Sequence, residues 1–473
     1  MSQEKIKADL AIVGAGSGGL SVAAAAAQLG LKVVLFEKGE MGGDCLNFGC
    51  IPSKTLIASA NAAHLARTAS AFGVTAGTVT VDFQAVMARV HAVIAEIAPI
   101  DSQTRFESLG VQVVREAARF RDQNSVESDS VIVKAHRILI ATGSSANAPP
   151  IPGLASTPYL TNENIFALRK LPDHLIVLGG GPIGIEMGQA FRRLGSRVTI
   201  IEADVALARE DRDAAQVVVD QLTVDGVKIM VGSRALRVEP GPTVVVNGSD
   251  GETRIAGSHL LVATGRRPTV DGLNLEAAGI KTNAAGVVTN ASLRTTNRRV
   301  FAVGDVAGRG QFTHLAGAQA ALFVRKAIFA LPVSVESLIV PRVTYCDPEL
   351  AAVGLTELQA RQIHGDDVRA ISLPFTGNDR AQAEGDTRGF GKLVTTAKGK
   401  ILGVTLVGAH AGGLIDFWVM ALTAGLRLRQ LTGIIAPYPT RGEINKRLAG
   451  QWYAPSLFSP AVRFLVSILK RFG

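Results

Sequence analysis

The stretch ADLAIVGAGSGGLSVAAAAAQLG, residues 8–30, decides the fold of this 473-residue chain. An apolar run leads into a glycine-rich turn and then an alanine-rich stretch, which predicts a strand, a tight turn and a helix. Gly14, Gly16 and Gly19 occupy the positions of a GxGxxG motif. The following apolar run, KVVLFEKG, predicts a second strand that ends at Glu37. A lone GxGxxG would be weak evidence, but these features together predict a dinucleotide-binding βαβ unit.

The glycines and the acidic residue have separate physical roles in such a unit. Gly14 permits the tight turn, Gly16 lets the backbone approach a pyrophosphate, and Gly19 lets the helix pack closely on the strand. Free N–H groups at the helix N-terminus attract the anion. Glu37 can accept hydrogen bonds from ribose hydroxyls, so the segment fits one half of a dinucleotide.

The same unit recurs in the middle of the chain. The stretch DHLIVLGGGPIGIEMGQAFRRLGSRVTIIEAD, residues 173–204, repeats the order of strand, glycine turn, helix and strand. Gly179, Gly181 and Gly184 form the motif, and Glu202 ends the second strand. One chain therefore carries two dinucleotide folds.

Further strands carry residues suited to ligand contact. RILIATGS contains Thr142 and Gly143, and HLLVATGR contains Gly265; glycine at such a strand end permits close approach to a ligand. RVFAVGDVAG ends at Asp305, at the carboxyl end of a strand, where ligands bind in parallel sheets. Beyond about residue 338, alternating apolar and polar residues with turn signals predict an antiparallel sheet.

Composition narrows the function classes. Apolar residues make up 47% of the chain and glycines number 50, which is typical of a folded α/β protein with several domains. The net charge of +9 fits anionic cofactors, a membrane surface or a basic proteome, but no basic stretch interleaved with aromatics predicts nucleic-acid binding. The polar N-terminus and the lack of a long uncharged apolar run predict a cytoplasmic protein without a spanning segment.

Two of the three cysteines lie in GGDCLNFGCIPSK, residues 42–54. A structural disulfide framework is disfavoured in a cytoplasmic chain. Zinc sites usually need CxxC pairs or nearby His and Cys partners, whereas four residues separate Cys45 from Cys50 and no ligand cluster follows. We therefore predict no metal site and favour a catalytic pair.

Taken together, these motifs resemble the class I pyridine nucleotide-disulfide oxidoreductases, which include dihydrolipoamide dehydrogenase, glutathione reductase and mercuric reductase. The resemblance covers residues from about 8 to about 450 and is most specific in the CxxxxC segment. It implies an α/β protein with two Rossmann-like dinucleotide-binding domains plus a C-terminal α+β dimerisation domain. It also implies an obligate homodimer, in which the C-terminal domain of one subunit completes the active site of the other.

The resemblance and the motifs predict the following organisation. The domains are an FAD-binding domain at 1–148 and 275–337, an NAD(P)-binding domain at 149–274, a dimerisation domain at 338–455 and an amphipathic tail at 456–473. The implied FAD contacts are Gly14, Gly16, Gly19, Glu37, Lys54, Thr142, Gly143, Asp305 and Ala316. The implied nicotinamide nucleotide contacts are Gly179, Gly181, Gly184, Glu202 and Gly265.

The resemblance also assigns roles around the cysteines. Electrons pass from NAD(P)H through FAD to a Cys45–Cys50 disulfide, with Cys50 against the flavin and Cys45 exchanging with substrate. Lys54, one helical turn beyond Cys50, approaches the flavin and pairs with Glu186. A helix that starts near Pro52 would favour the thiolate, which is the nucleophile.

Three positions depart from the family pattern. Tyr438, in APYPTRGE, stands where disulfide reductases have a proton-shuttling histidine, as it does in mercuric reductases, while Glu443 is kept. Tyrosine is a poor base at neutral pH but a hydrogen-bond donor, so Tyr438 is either catalytic or packs at the subunit interface.

Asp44 replaces the usual threonine before Cys45; its carboxylate raises a thiol pKa if it points inward, and otherwise is solvated or caps the turn. Pro182 replaces a gating tyrosine, which predicts a more open nicotinamide pocket or a different gate.

The sequence thus predicts an FAD-dependent NAD(P)H oxidoreductase, similar to mercuric reductase, that reduces a disulfide or a thiol-bound metal through Cys45 and Cys50. The C-terminal stretch lacks the cysteine pair with which mercuric reductases receive Hg(II), so efficient mercuric reduction is not expected. One alternative is a dihydrolipoamide dehydrogenase acting on lipoyl proteins, against which Tyr438 argues. Another is a membrane-associated quinone or electron-carrier reductase.

Glu202 also bears on the choice of nicotinamide nucleotide. A carboxylate accepts a hydrogen bond from the ribose 2′-OH and repels a 2′-phosphate, which predicts NADH. Arg192, Arg193 and Arg197 lie nearby in the sequence, so NADPH stays open as the alternative.

The last residues, FSPAVRFLVSILKRFG, predict a basic amphipathic helix. Ser459 fits an N-cap and Pro460 the first helical position. Arg463, Ser467, Lys470 and Arg471 fall on one stripe, and apolar residues cover the rest. The tail therefore binds either an anionic membrane or membrane partner, or the protein's own surface.

Overall fold

The computed structural model describes residues 3–248 and 251–472. The described residues gather in two compact units, one within 1–179, 190–201 and 233–338, the other within 180–189, 202–232 and 339–473. The predicted domain boundaries near residues 148, 274 and 337 follow from motifs rather than from compactness, and they stay a prediction.

Strands and helices are mixed through the first two thirds of the chain, with runs of several strands between helices. Up to residue 201 the elements are β1 Glu4–Val13, α1 Ser17–Gln28, β2 Val33–Phe36, α2 Gly43–Asn47, α3 Cys50–Thr68, α4 Phe83–Asp101, α5 Gln103–Ser108, β3 Gln112–Val114, β4 Arg119–Asp122, β5 Ser125–Glu127, β6 Val131–Ile140, β7 Ser144–Ala146, β8 His174–Leu178, α6 Pro182–Leu194 and β9 Arg197–Ile201. Up to residue 338 they are α7 Arg212–Val224, β10 Lys228–Met230, β11 Arg234–Glu239, β12 Thr243–Gly248, β13 Gly251–Ala256, β14 His259–Val262, β15 Arg266–Pro268, β16 Thr282–Asn283, β17 Gly286–Val287, β18 Val300–Ala302 and α8 Thr313–Phe323. The remaining elements are β19 Pro341–Thr344, β20 Glu349–Gly354, α9 Glu357–His364, β21 Val368–Pro374, α10 Asp379–Ala383, β22 Phe390–Thr396, β23 Ile401–Gly408, α11 Ala411–Leu414, α12 Asp416–Thr423, α13 Leu428–Thr432, α14 Glu443–Leu457 and α15 Pro460–Leu469.

A parallel sheet carries the first glycine motif. Its strands follow the order β3-β2-β1-β6-β18, and the first half of β6 also pairs with antiparallel β5. The chain leaves β1 toward β2 on one side and returns to β6 on the other, so the carboxyl end of β1 is a switch point at which ligands bind. Ala11 and Val13 join one apolar cluster, while Leu10 and Ile12 join another. Both faces of the sheet are therefore buried, as is usual for parallel strands.

The second glycine motif has the same arrangement. Strand β8 lies between the parallel strands β9 and β14, and all of its residues are buried. The Gly14 N–H donates to Phe36 O at 2.9 Å, and the Gly179 N–H donates to Ile201 O at the same distance. The repeat predicted from the sequence is thus confirmed at the level of single hydrogen bonds.

The second unit contains the antiparallel sheet β19-β20-β23-β22-β21. Phe375, Trp418 and Leu448 share one apolar core beneath it. The Trp418 indole is fully buried, and its Nε1–H donates to Asn445 Oδ1 at 2.8 Å, so its polar atom is satisfied. The antiparallel sheet predicted beyond about residue 338 is confirmed.

The stretch Phe83–Ser108 is long and apolar enough to cross a membrane by length and composition alone, with a mean hydropathy of 1.3, although no spanning segment is predicted from the sequence. It consists of α4 and α5, which separate at Ser102, whose hydroxyl caps α5. Phe83, Met87 and Val90 are buried. Core helices of globular proteins satisfy the same criterion.

Candidate active site

The first glycine of each motif touches a neighbouring strand. Gly14 has a φ of 106° and Gly179 a φ of 109°. A Cβ on Gly14 would lie 2.5 Å from Ala141 O, and a Cβ on Gly179 would lie 2.4 Å from Ala263 O. Only glycine fits either position. The Ala-Thr-Gly strands therefore pack on the glycine turns, a role that their sequence did not reveal.

The start of α1 forms an open cradle. A Cβ on Gly19 would lie 1.9 Å from Gly14 O, so helix and strand are as close as the motif predicts. Gly16 is the N-cap and makes no side-chain capping bond, and the first turn of α1 has no acidic residue. A Cβ on Gly43 would lie 2.7 Å from Gly16 Cα. The uncapped N–H groups, with bare backbone beside them, fit a pyrophosphate.

The two acidic residues bind the backbone of their own glycine turns. Glu37 Oε2 accepts from the Ala15 N–H at 2.7 Å, and Glu202 Oε2 accepts from the Gly180 N–H at 2.6 Å. The second oxygen of each accepts from the N–H two residues further along the chain, at 2.7 and 2.9 Å respectively. Each carboxylate therefore lies beside its turn, where such motifs bind a ribose.

Several other predicted contact residues line open space. Gly143 and Gly265 both have positive φ, and a Cβ on either would meet no atom within 4 Å. The Thr142 hydroxyl is engaged, because it donates to a backbone carbonyl at 2.6 Å. Ala316, in α8, lies against Gly304, the residue before Asp305, which is itself a predicted FAD contact.

The start of the second motif's helix is also open. A Cβ on Gly181 would meet no atom within 4 Å, Pro182 is the exposed first residue of α6, and Gly184 is buried. A different gate for the nicotinamide pocket stays a prediction.

The arginines that kept NADPH open lie at the far ends of their elements. Arg192 and Arg193 are in the last turn of α6, whereas the glycine turn precedes its first residue. Arg193 is buried, and its Nη1 donates to Asn61 Oδ1 at 2.8 Å. Arg197 begins β9, while Glu202 follows the last residue of that strand.

The two cysteines lie on successive helices. Cys45 is in α2, and Cys50 is the first residue of α3, with Pro52 in its first turn, which confirms the predicted helix start. Both are free thiols of intermediate exposure. The Cys50 Sγ lies 3.3 Å from Thr313 Oγ1.

The thiols differ in acidity. A hydrogen bond from Cys45 lowers the pKa of Cys50 to about 6; burial opposes this, while Thr313 and the charge of Lys54 support it. The same bond, together with burial, raises the pKa of Cys45. At neutral pH the pair is therefore a Cys50 thiolate beside a Cys45 thiol. That order suits a flavin-side thiolate at Cys50, which stays a prediction.

The Asp44 carboxylate contacts two other side chains. Its Oδ1 accepts from Asn162 Nδ2 at 2.9 Å and lies 3.2 Å from Arg266 Nη2. Arg266 Nε also donates to Ser144 Oγ at 2.8 Å, and the Ser144 hydroxyl donates to Asp305. Burial raises the pKa of Asp305, and the hydroxyl and the guanidinium partly offset that rise. These contacts link Asp44, the residue before Cys45, to Asp305, which is a predicted FAD contact.

The residues predicted in the second unit make the following contacts within the chain. The Tyr438 side chain is exposed, and its hydroxyl donates to Asp379 Oδ2 at 3.1 Å, a bond that raises the pKa of Tyr438. Glu443 begins α14 and adds only a minor charge effect on that hydroxyl. Glu186 is buried and accepts from the Tyr345 N–H at 2.9 Å. The pairing of Glu186 with Lys54 stays a prediction.

Four site residues were not predicted from the sequence: Asn162, Arg266, Thr313 and Asp379. Arg266 directly follows the second Ala-Thr-Gly, which was the one available signal. Each of the four meets its partner across a long stretch of chain, 59 positions for Asp379 and 118 for Asn162. In the part of the chain that the structure describes, no group of three or more His, Cys, Asp or Glu side chains could hold a metal ion.

Comparison with known proteins gives consistent matches over most of the chain. Residues 8–320 match the family described as pyridine nucleotide-disulphide oxidoreductase, and residues 340–449 match its dimerisation domain. A mercuric reductase of Streptomyces lividans is 36% identical over 456 residues, which cover 94% of this chain and 96% of that protein. A mercuric reductase of Bacillus cereus is 36% identical over 443 residues, 92% of this chain and 70% of that protein. A dihydrolipoyl dehydrogenase of Bacillus subtilis (strain 168) is 33% identical over 443 residues, 92% and 96%.

Solved structures give the same answer. The HOCl-induced flavoprotein disulfide reductase RclA from Escherichia coli has a TM-score of 0.83 and 31% identity, and covers 93% of this chain and 99% of that one. Its Cu(II) complex also has a TM-score of 0.83, with 30% identity over the same shares of the two chains. The two glycine turns fit the FAD and NAD(P)H on which this family depends. The chain belongs to the pyridine nucleotide-disulfide oxidoreductases, as an FAD-dependent enzyme with the family's dimerisation domain.

Proposed function

We propose that the protein is a homodimeric NAD(P)H oxidoreductase of the mercuric reductase type, which reduces a disulfide or a thiol-bound metal through Cys45 and Cys50. The observation that carries this proposal is the pair of unequal thiols formed by Cys45 in α2 and Cys50 at the start of α3. The dimerisation region at residues 340–449 supports the homodimer. FAD, when bound, supplies the passage of two electrons from NAD(P)H to the Cys45–Cys50 disulfide.

The thiols then carry the electrons by exchange. Two electrons and one proton convert the Cys45–Cys50 disulfide into a Cys45 thiol and a Cys50 thiolate. The Cys45 thiol loses its proton, and its sulfur attacks a substrate disulfide RSSR′; the S–S bond breaks, and R′S⁻ leaves and takes up that proton. The Cys50 thiolate attacks the Cys45 sulfur, the mixed disulfide breaks, and RS⁻ leaves and is protonated by solvent. The sum is NAD(P)H, one proton and RSSR′ giving NAD(P)⁺, RSH and R′SH.

Proton removal from Cys45 is the step for which the chain is poorly equipped. In the proposed dimer, Tyr438 of the partner subunit stands near Cys45, in place of a histidine. Within the chain the Tyr438 hydroxyl is a donor to Asp379, and that bond makes it a weaker acid and leaves it without a basic site near neutral pH. Exchange with a lipoyl protein needs fast proton removal from Cys45. The weak proton acceptor therefore supports a different substrate.

We expect Cys45→Ala and Cys50→Ala each to lower NADH-dependent turnover of the true substrate by at least about 100-fold, because exchange needs both sulfurs. The measurement is a turnover panel of lipoamide, glutathione disulfide, Hg(II) and a quinone, with bound FAD monitored by its visible absorbance. Cys346→Ala is the matched control, because that thiol is buried and donates to the Pro348 carbonyl. Undiminished turnover of the best substrate in both variants would favour the quinone or electron-carrier reductase instead.

We expect Tyr438→His to increase disulfide turnover at pH 7 by at least about tenfold, because an imidazole near neutral pH can accept the Cys45 proton. The measurement is kcat for lipoamide and glutathione disulfide as a function of pH. Tyr438→Phe is the control, since it removes the hydroxyl without supplying a base. A histidine variant that is no faster than the phenylalanine variant would remove the argument against a dihydrolipoamide dehydrogenase.

We expect NADH to be preferred over NADPH by at least about tenfold in kcat/KM, because the Glu202 carboxylate repels a 2′-phosphate. Glu202→Gln should reduce the preference for NADH over NADPH. Arg197→Gln should leave that preference unchanged, because Arg197 lies at the opposite end of β9. Steady-state kinetics with both nucleotides check this. A ratio that responds to Arg197 and not to Glu202 would place the 2′-phosphate site elsewhere.

We also propose a cytoplasmic enzyme that contacts an anionic membrane through α15. The Ser459 hydroxyl caps this helix by accepting from the Val462 N–H at 3.4 Å, and no residue of the helix is buried. Phe464 and Leu465 are 68% and 53% exposed. Ten residues span about 15 Å, half of a bilayer core, so the helix would lie along the surface rather than cross it.

The charge of the tail supports an anionic partner. Residues 459–473 contain three basic side chains, Arg463, Lys470 and Arg471, and no Asp or Glu. All three are exposed: Arg463 lies within α15, Lys470 is its C-cap and Arg471 follows it. Burial of the apolar side chains in the membrane and attraction of the basic side chains to anionic lipid would therefore act on the same short segment.

We expect full-length protein to pellet with vesicles of anionic phospholipid, and a 1–456 truncation to pellet several-fold less. Neutral vesicles and high salt should both weaken pelleting, because the attraction is partly electrostatic. Phe464→Glu is the point variant that keeps the helix and removes its apolar face. Equal pelleting of all three proteins would show that α15 packs on the protein or across the dimer instead.

A further inference from the structure

The Asp44 carboxylate is an unfavourable neighbour for a thiolate. Its charge raises the pKa of both Cys45 and Cys50, whereas the family's usual threonine carries no charge. Its Oδ2 packs over the start of α3, because a Cβ on Gly49 would lie 2.9 Å from that oxygen. Asp44 is thus held near the thiols by packing, and because 37% of its side chain is exposed, solvent and a counterion would share the screening of its charge.

Arg266 has the geometry of that counterion. Its side chain is 12% exposed, and its Nη2 lies 3.2 Å from Asp44 Oδ1. The guanidinium is oriented from the other side by Ser144, whose hydroxyl and carbonyl oxygens each accept from it at 2.8 Å. A planar fork with several fixed donors holds one orientation, which the flexible ammonium of a lysine does not.

Other charges face the same region and set the background. Lys54, on α3, favours the Cys50 thiolate. Asp305, which follows β18, lies 4.0 Å from Arg266 Nε and accepts a hydrogen bond from the Ser144 hydroxyl. The Arg266 guanidinium therefore lies near two carboxylates, and its removal would leave both without that neighbouring positive charge.

We propose that Arg266 is a positioning residue for the redox pair: it neutralises the Asp44 carboxylate and so keeps the turn before Cys45 compatible with a thiolate at Cys50. Arg266 and Asp44 thus replace the neutral threonine of the family pattern by a neutral ion pair. The inference rests on the proposed thiol chemistry and adds to it residues that act through the cysteines. It also gives Asn162 a purpose, since its amide holds the same carboxylate oxygen at 2.9 Å.

The test is a double-mutant cycle on thiol acidity. The reduced holoenzyme is alkylated with iodoacetamide over a range of pH, and labelling of Cys50 is followed by mass spectrometry. In the wild type the rate should rise through pH about 6. Arg266→Gln should move that midpoint upward by about one pH unit, which makes alkylation near pH 6 slower by up to about tenfold. Asp44→Asn should move it downward, and the double variant should match Asp44→Asn alone, because Arg266 then has no carboxylate to neutralise.

The cycle separates the proposal from its competitors. If Arg266→Gln shifts the midpoint equally in the wild-type and Asp44→Asn backgrounds, Arg266 acts on the thiols directly and the proposal fails. Arg266→Lys should restore only part of the shift, because it keeps the charge and loses the fork. If Arg266→Gln does not fold, Arg266→Lys decides, because its shift must disappear in the Asp44→Asn background. Alkylation needs no substrate, so this result is independent of whether the proposed turnover is found.

Discussion

The first glycine of each dinucleotide motif lies against a carbonyl of the next strand in its sheet, and the rest of the structure depends on that contact. At Gly14 and at Gly179 a single added carbon would overlap the neighbouring backbone. This closeness brings the end of one strand, the start of a helix and an Ala-Thr-Gly turn to a single point. Each sheet also changes direction at the strand before its glycine turn, which is where parallel sheets of this kind bind nucleotides.

The cysteine chemistry depends on a similar local constraint. Cys45 and Cys50 are separated by four residues, but one lies within a short helix and the other begins a long one. Their mutual hydrogen bond and the different positions of nearby charges make one thiol acidic and the other not. An asymmetric pair is what directional electron transfer needs, because one sulfur must stay a thiolate while the other exchanges.

Local patterns predicted the fold well, and long-range polar contacts could not be predicted. The glycine motifs, the helix start at Cys50 and the cap at Ser459 are each specified by a few adjacent residues, and the structure has them where the sequence placed them. Asp44 was correctly seen as unusual, but its orientation depends on Arg266 and Asn162, which approach from other strands and loops. Tyr438 likewise could be recognised by its motif, whereas Asp379 as its partner depends on tertiary packing. Such side chains carry no periodic signal, so a single sequence does not reveal which of them meet.

The carboxylates of Glu37 and Glu202 already accept hydrogen bonds from the backbone of their glycine turns. Each glycine turn is therefore stabilised by a carboxylate of the protein itself, without a bound nucleotide. In the proposed sites a ribose hydroxyl would donate to a remaining lone pair of the carboxylate, and the turn would not have to be ordered from a loose ensemble. Less conformational entropy is lost on binding, so more of the contact energy between protein and nucleotide appears as affinity.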